Sequence, residues 1–173
     1  MENFLSKATR EYADWVITQC NSKQWNKDNS LTAIRSLFPI DEEVFFQYHD
    51  FILSFTEVIP HLTDFLEDRD NVLKDRLIVC SALNYFISPI DLIPDEMGIL
   101  GIVDDGLICF YLSRYLDAPS DQISQWIESV AQKVERVQAT FPDWMTETIT
   151  QVIASTMQQQ NLYLHQITHT GRE

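Results

Sequence analysis

Basic side chains are scarce in this sequence, with 12 Lys and Arg against 26 Asp and Glu and a formal net charge of −14. Such a balance repels phosphate backbones and anionic lipid head groups, which recruit proteins through clustered Lys and Arg, so nucleic acid is excluded as a direct ligand. Cysteine is nearly as sparse: Cys20, Cys80 and Cys109 are odd in number and widely spaced, with no Cys-x-x-Cys pair and no nearby His to complete a zinc site. They are expected to be reduced, buried small hydrophobes in a cytosolic protein. The longest apolar stretch without charge, Leu77 to Ile90, covers 14 residues and is interrupted by Ser81, Asn84 and Ser88. That is short of the ~20 residues a membrane-spanning helix needs. The N-terminal segment has no basic region followed by an apolar run, hence no signal peptide, and a cytoplasmic location is expected. No Gly-rich phosphate loop, Gly-x-Ser-x-Gly elbow or His-Glu-x-x-His helix occurs.

What is present is apolar periodicity. A 45% hydrophobic and 12% aromatic content is enough to build a core despite the charge. At 173 residues, one domain is expected, covering 1–157, followed by a Gln-, His- and Thr-rich tail at 158–173 that is weakly patterned and expected to fray.

Steps of three and four residues through Phe4, Leu5, Ala8, Tyr12, Trp15 and Val16 predict a first helix over 2–20 anchored by Trp15. A polar loop with an isolated Trp25 and a short helix from Ser30 to Phe38, ended by Pro39, are expected next. Asp41 is a natural N-cap, with Glu42 and Glu43 in the first turn. The aromatic stripe Phe45, Tyr48, Phe51 and Phe55 then predicts a long core helix, which Pro60 should kink or restart. Asn71 is the expected cap of the next helix, and Ser120 and Pro142 mark the starts of two more. No strand pattern and no repeat period competes. The chain reads as an all-α bundle of about seven to eight helices around a central buried helical hairpin.

The turn of that hairpin is the unusual stretch. Residues 85–107 hold Gly98, Gly101 and Gly106, two of the six prolines, and Asp91, Asp95, Asp104 and Asp105 in an apolar setting. Ser88-Pro89-Ile90-Asp91-Leu92-Ile93-Pro94-Asp95, followed by Gly101 and Asp104-Asp105, resembles the signature of the YkvA-like family, a small bacterial domain of unknown function, over about 77–116. The resemblance implies a helical hairpin, which in many members is hydrophobic and close to membranes. Glu96, Gly98 and Ile102 depart from the usual pattern and make this loop more acidic and more flexible.

Two readings of the carboxylates stand side by side. Asp91, Asp95, Asp104 and Asp105, with Glu96 beside them, are candidate ligands for Mg²⁺ or Ca²⁺, because hard cations take six or more oxygens. Such a site could serve a hydrolase of phosphorylated compounds. Alternatively each aspartate is structural: Asp91 closes a capping box with Ser88, and Asp104 and Asp105 cap an apolar helix starting near Leu107. His165 and His169 are four apart and lack a third ligand, while His49 and His61 are single residues at amphipathic positions. Nine carboxylates between 41 and 70 face the single base Arg69, which marks a solvated face or a docking surface for a protein partner. The expected function is that of an interaction or adaptor protein without catalysis, tied to a membrane or larger assembly only through its partner. The metal-dependent hydrolase and a binder of an apolar ligand or pigment in an aromatic-lined pocket are the alternatives.

Overall fold

The computed structural model describes residues 3–21, 41–88 and 101–170. The expected Trp25 loop, the 30–38 helix, and Asp91, Asp95 and Glu96 lie outside the described residues. Every regular element among the described residues is a helix: α1 Phe4–Asn21, α2 Glu42–Glu67, α3 Leu73–Phe86, α4 Val103–Ser113, α5 Asp121–Gln138 and α6 Asp143–Thr170. That makes six helices among the described residues, against about seven to eight expected for the whole chain. None of them is long and apolar enough to cross a membrane.

Helix α2 is the organising element and packs against α1, α3, α4 and α5. Asp41 caps it as the sequence predicts, its carboxylate accepting from Val44 N–H at 2.9 Å. The stripe Phe45, Tyr48, Phe51, Ile52 and Phe55 is 0–6% exposed. The expected break at Pro60 does not occur, and α2 runs unbroken for 26 residues. Pro60 is on the exposed side, while Val58, Ile59, Leu62 and Phe65 on either side are buried. Burial at ~1.5–3 kcal/mol for each large apolar side chain outweighs the ~3 kcal/mol a helix-interior proline costs.

Helix α1 buries a different face from the one expected. Ser6, Thr9, Ala13 and Val16 point inward, while Trp15 is 46% exposed and Phe4 85%. The Thr9 hydroxyl donates to Leu5 C=O at 2.7 Å, which lets a polar side chain enter the contact with its hydrogen bond intact. Trp15 instead stacks on Tyr12 at 5.5 Å, and Tyr12 meets the buried Phe86 of α3 at 4.9 Å. Asn3 caps the helix, accepting from Ser6 N–H at 2.8 Å.

Asn71 does not cap α3. Its side-chain amide donates to Phe65 C=O at 2.9 Å, satisfying one of the orphan carbonyls at the end of α2. Helix α3 starts after Val72 without a side-chain cap and buries one face, Ile78, Val79, Ala82, Leu83 and Phe86. The helix buried all round is its neighbour α4, where every residue but Tyr111 is buried. It contacts α2, α3, α5 and α6.

Ser120 caps α5, accepting from Ile123 N–H at 3.4 Å. The seam Ile123, Trp126, Val130, Val134 and Val137 is buried as its spacing predicts. Helix α6 buries Met145, Ile149 and Ile153, and leaves Trp144 48% exposed. It continues to Thr170, so 158–170 is helical where weak patterning predicts fraying. Gln160 pins this extension: buried against α3, it donates to Leu77 C=O at 2.9 Å and to Ser81 Oγ at 2.8 Å.

Candidate functional site

Three groups of polar side chains stand out against this apolar interior. The first is at the start of α4. Asp104 and Asp105 are not caps before a helix beginning near Leu107; they lie within the first turn of a helix that begins at Val103, with Ile102 in the cap position and no side-chain cap bond. Both are buried, at 0% and 1% exposure. The Tyr85 hydroxyl of α3 donates to Asp104 Oδ2 at 3.4 Å. The first turn places both carboxylates at the positive end of the helix dipole, worth about 0.3–1 kcal/mol each. Gly106 follows them because nothing larger fits: a Cβ there would sit 2.8 Å from Phe51 Cε1, 3.0 Å from Phe51 Cζ and 3.2 Å from Phe55 Cγ. Farther along α4, burial and then the negative Asp105 push the Cys109 thiol up from its ordinary range. Its Sγ donates to Ala82 C=O at 3.4 Å, which keeps this thiol inert.

The second group is a clamp that sequence reading missed. Asp75, in the first turn of α3, is 0% exposed and accepts from Asp117 N–H at 3.1 Å with each oxygen and from Ala118 N–H at 2.9 Å. It ties the start of α3 to the connection between α4 and α5. The signal was present in its position, three residues into a helix, but its partners lie 42 and 43 residues away, where no local pattern points to them.

The third group is the outer face of α2. Because the helix passes through Pro60 unbroken, Glu43, Asp50, Glu57 and Asp64 recur every seventh residue along one line, drifting ~20° per step over about 31 Å. All four are exposed. Two do structural work: Asp50 pairs with Lys133 of α5 at 2.9 Å and Asp64 with Arg10 of α1 at 2.6 Å. Lys133 also donates to Ser54 Oγ at 2.7 Å, and Arg10 to Thr63 Oγ1 at 2.8 Å. The acidic face is thus neither wholly solvated nor wholly free, since alternate members of the line staple α1 and α5 to α2. Two recesses open beside it. One of about 450 Å³ is lined by His61, Asp64, Asp68, Asn71 and Ser120, and one of about 330 Å³ by Glu57, His61, Gln125 and Ser129; Gln122 borders both.

Among the described residues no group of three or more His, Cys, Asp or Glu side chains is placed to hold a metal ion. Of the four candidate ligands only Asp104 and Asp105 belong to that set. His49 contacts Cys20 C=O through Nε2 at 3.2 Å, and His165 is exposed on α6. The aromatic stripe of α2 is filled by packing: Phe55 meets Phe86 edge-on at 5.0 Å, and Phe51 closes over Gly106.

No curated protein and no solved structure matches the chain. One family model does, over residues 75–111, a stretch that starts at the clamping Asp75 and takes in most of α3 and most of α4; its description is "Protein of unknown function (DUF1232)". Over that stretch, the chain is similar to an uncharacterised small domain family.

Proposed function

We propose that the chain is a non-enzymatic interaction module that docks a basic protein surface along the outer face of α2. The observation that carries this reading is the line of carboxylates Glu43, Asp50, Glu57 and Asp64 on one uninterrupted helix. Its internal ion pairs use Asp50 and Asp64 and leave Glu43 and Glu57 directed to solvent. The two recesses give the face depth, so lysine or arginine stems can lie along Phe65, Pro119 or Val58 while their charges meet the carboxylates. The exposed Phe46, at 54%, adds an apolar contact near one end. A partner of this kind, rather than an inserted helix, would carry the protein to a membrane or larger assembly, and the likeness to the YkvA-like signature is compatible with that.

The test is capture of partners by immobilised protein, comparing the natural chain with Glu43→Gln/Glu57→Gln, which leaves the internal ion pairs in place. Loss of the same bound species, with the natural interaction weakening as salt rises, supports the reading. Unchanged recovery overturns it.

The burial of Asp104 and Asp105 together favours a second reading, in which they join Asp91 and Asp95 around a hard cation such as Mg²⁺ or Ca²⁺. Exposures of 0–1% give a phosphorylated substrate no approach to these oxygens, so a structural ion fits better than a hydrolase centre. Calorimetric titration with Mg²⁺ and Ca²⁺, alongside thermal melting, decides it: no heat and no shift at millimolar metal removes both versions.

A further inference from the structure

A cavity of about 340 Å³ lies between α4, α5 and α6, away from the residues used so far. Its floor is the buried Ile149 and Ile153 of α6, with the exposed Thr150 and Ala154 at the edge. Tyr111 and Tyr115, at and just beyond the end of α4, form one wall, and Gln138 in the last turn of α5 forms another. Tyr115 is 50% exposed, a large aromatic ring held over a recess rather than packed into the core.

Polar groups in this cavity are few and oriented. The Tyr111 hydroxyl donates to the side-chain carbonyl of Gln138. That bond engages the Gln138 oxygen and leaves the amide nitrogen, with two N–H groups, as the donor at the cavity. The Thr150 hydroxyl donates to Thr146 C=O at 2.9 Å, so it has no proton left for an occupant and offers only its lone pairs. No lining residue carries a formal charge. Burial raises the Tyr111 phenol, and Arg114 and Glu135 act on it in opposite directions, Arg114 the more strongly. Small-molecule sites have this character: concave, about 300–1,000 Å³, apolar in most of their lining, with one or two placed polar groups.

We infer that this cavity binds a small uncharged ring compound bearing an acceptor oxygen, its body on Ile149 and Ile153, its face against Tyr115, and its oxygen on the Gln138 amide N–H. The size limits the occupant to one or two fused rings, and the uncharged lining disfavours ions, which would be desolvated without a counter-charge. This goes beyond docking at α2 and does not depend on it.

The probe is 6-propionyl-2-(dimethylamino)naphthalene, a neutral two-ring ketone whose emission shifts to the blue in apolar surroundings, titrated into the full chain. Saturable binding with a blue shift is expected. Thr150→Trp, at an exposed position on the rim, should abolish it without altering the thermal melt, whereas Leu162→Ser, in the neighbouring groove of α6 that meets this cavity at Ala154, should leave it intact. Gln138→Leu should weaken the ketone about fivefold, the worth of one neutral hydrogen bond, and leave 2-(dimethylamino)naphthalene, which lacks the carbonyl, unaffected. Absence of saturable binding, or binding that Thr150→Trp does not reduce, overturns the assignment of the cavity. Equal weakening of both probes by Gln138→Leu overturns the role given to the amide.

Discussion

Gly106 is held in place by two phenyl rings. The sequence marks it as one of three glycines in a turn-rich stretch, yet its reason for being glycine comes from Phe51 and Phe55, more than 50 residues earlier, and no local pattern carries that information. A Gly106→Ala chain gains up to ~1 kcal/mol of helix propensity but must move rings that are 0% exposed, and overpacking costs about 1–3 kcal/mol. The net expectation is a loss of about 1 kcal/mol, read as a lower urea midpoint. Asp75 poses the complementary case, a carboxylate that looks like surface charge on paper. Asp75→Ala removes the buried carboxylate that accepts from the Asp117 and Ala118 amides and should lose about 1–3 kcal/mol, whereas Asp75→Asn keeps one acceptor oxygen and should lose less. Equal losses from the two variants would mean the carboxylate is not the clamp. Caps were legible for the opposite reason: Asp41 and Ser120 bond to residues three positions away, so sequence and structure report the same local event.

Helices whose apolar spacing is regular were read correctly as elements, but the course of α2 through Pro60, the inward face of α1 and the end of α6 were not. Pro60 carries a strong local instruction to stop, which the buried residues on both sides of it override in α2. Restoring a donor at that exposed position should help: Pro60→Ala is expected to raise stability by about 1–2 kcal/mol, after allowing for the freer unfolded chain, as seen in the denaturant midpoint. A drop in stability would mean that the proline has a packing role hidden by its exposure. The inward face of α1 was missed because Ser6 and Thr9 look like solvent residues until their local hydrogen bonds are seen, while Trp15 looks like an anchor until its ring is found lying along Tyr12. Helix α6 outlasts its apolar pattern because Gln160, a polar residue, makes the contact that a hydrophobe would be expected to make.

The whole molecule should be sensitive to alkali in a defined window. Burial pushes the Cys20 thiol from 9.0 up to about 11, and the Tyr48 phenol, bonded to Thr140, from 10.0 up to about 12. The folded chain therefore keeps protons that the unfolded chain releases, so this stabilisation is complete below pH 9 and is lost as the pH rises from 9 to 12. Denaturation at fixed temperature should show a plateau followed by a decline over that range, and Tyr48→Phe should remove the part of the decline above pH 10. The fold class and the existence of a central apolar helix were legible from composition and spacing. The line of carboxylates on α2 was legible only as an excess of acid, because its straightness depends on a helix the proline seemed to forbid. The Asp75 clamp has a further consequence. By holding Asp117 and Ala118 at 2.9–3.1 Å it joins the two ends of the 75–118 stretch, which encloses the family-matched residues, at a single point on the molecule. A stretch whose entry and exit meet fixes the distance between α2, which ends just before it, and α5, which starts just after it.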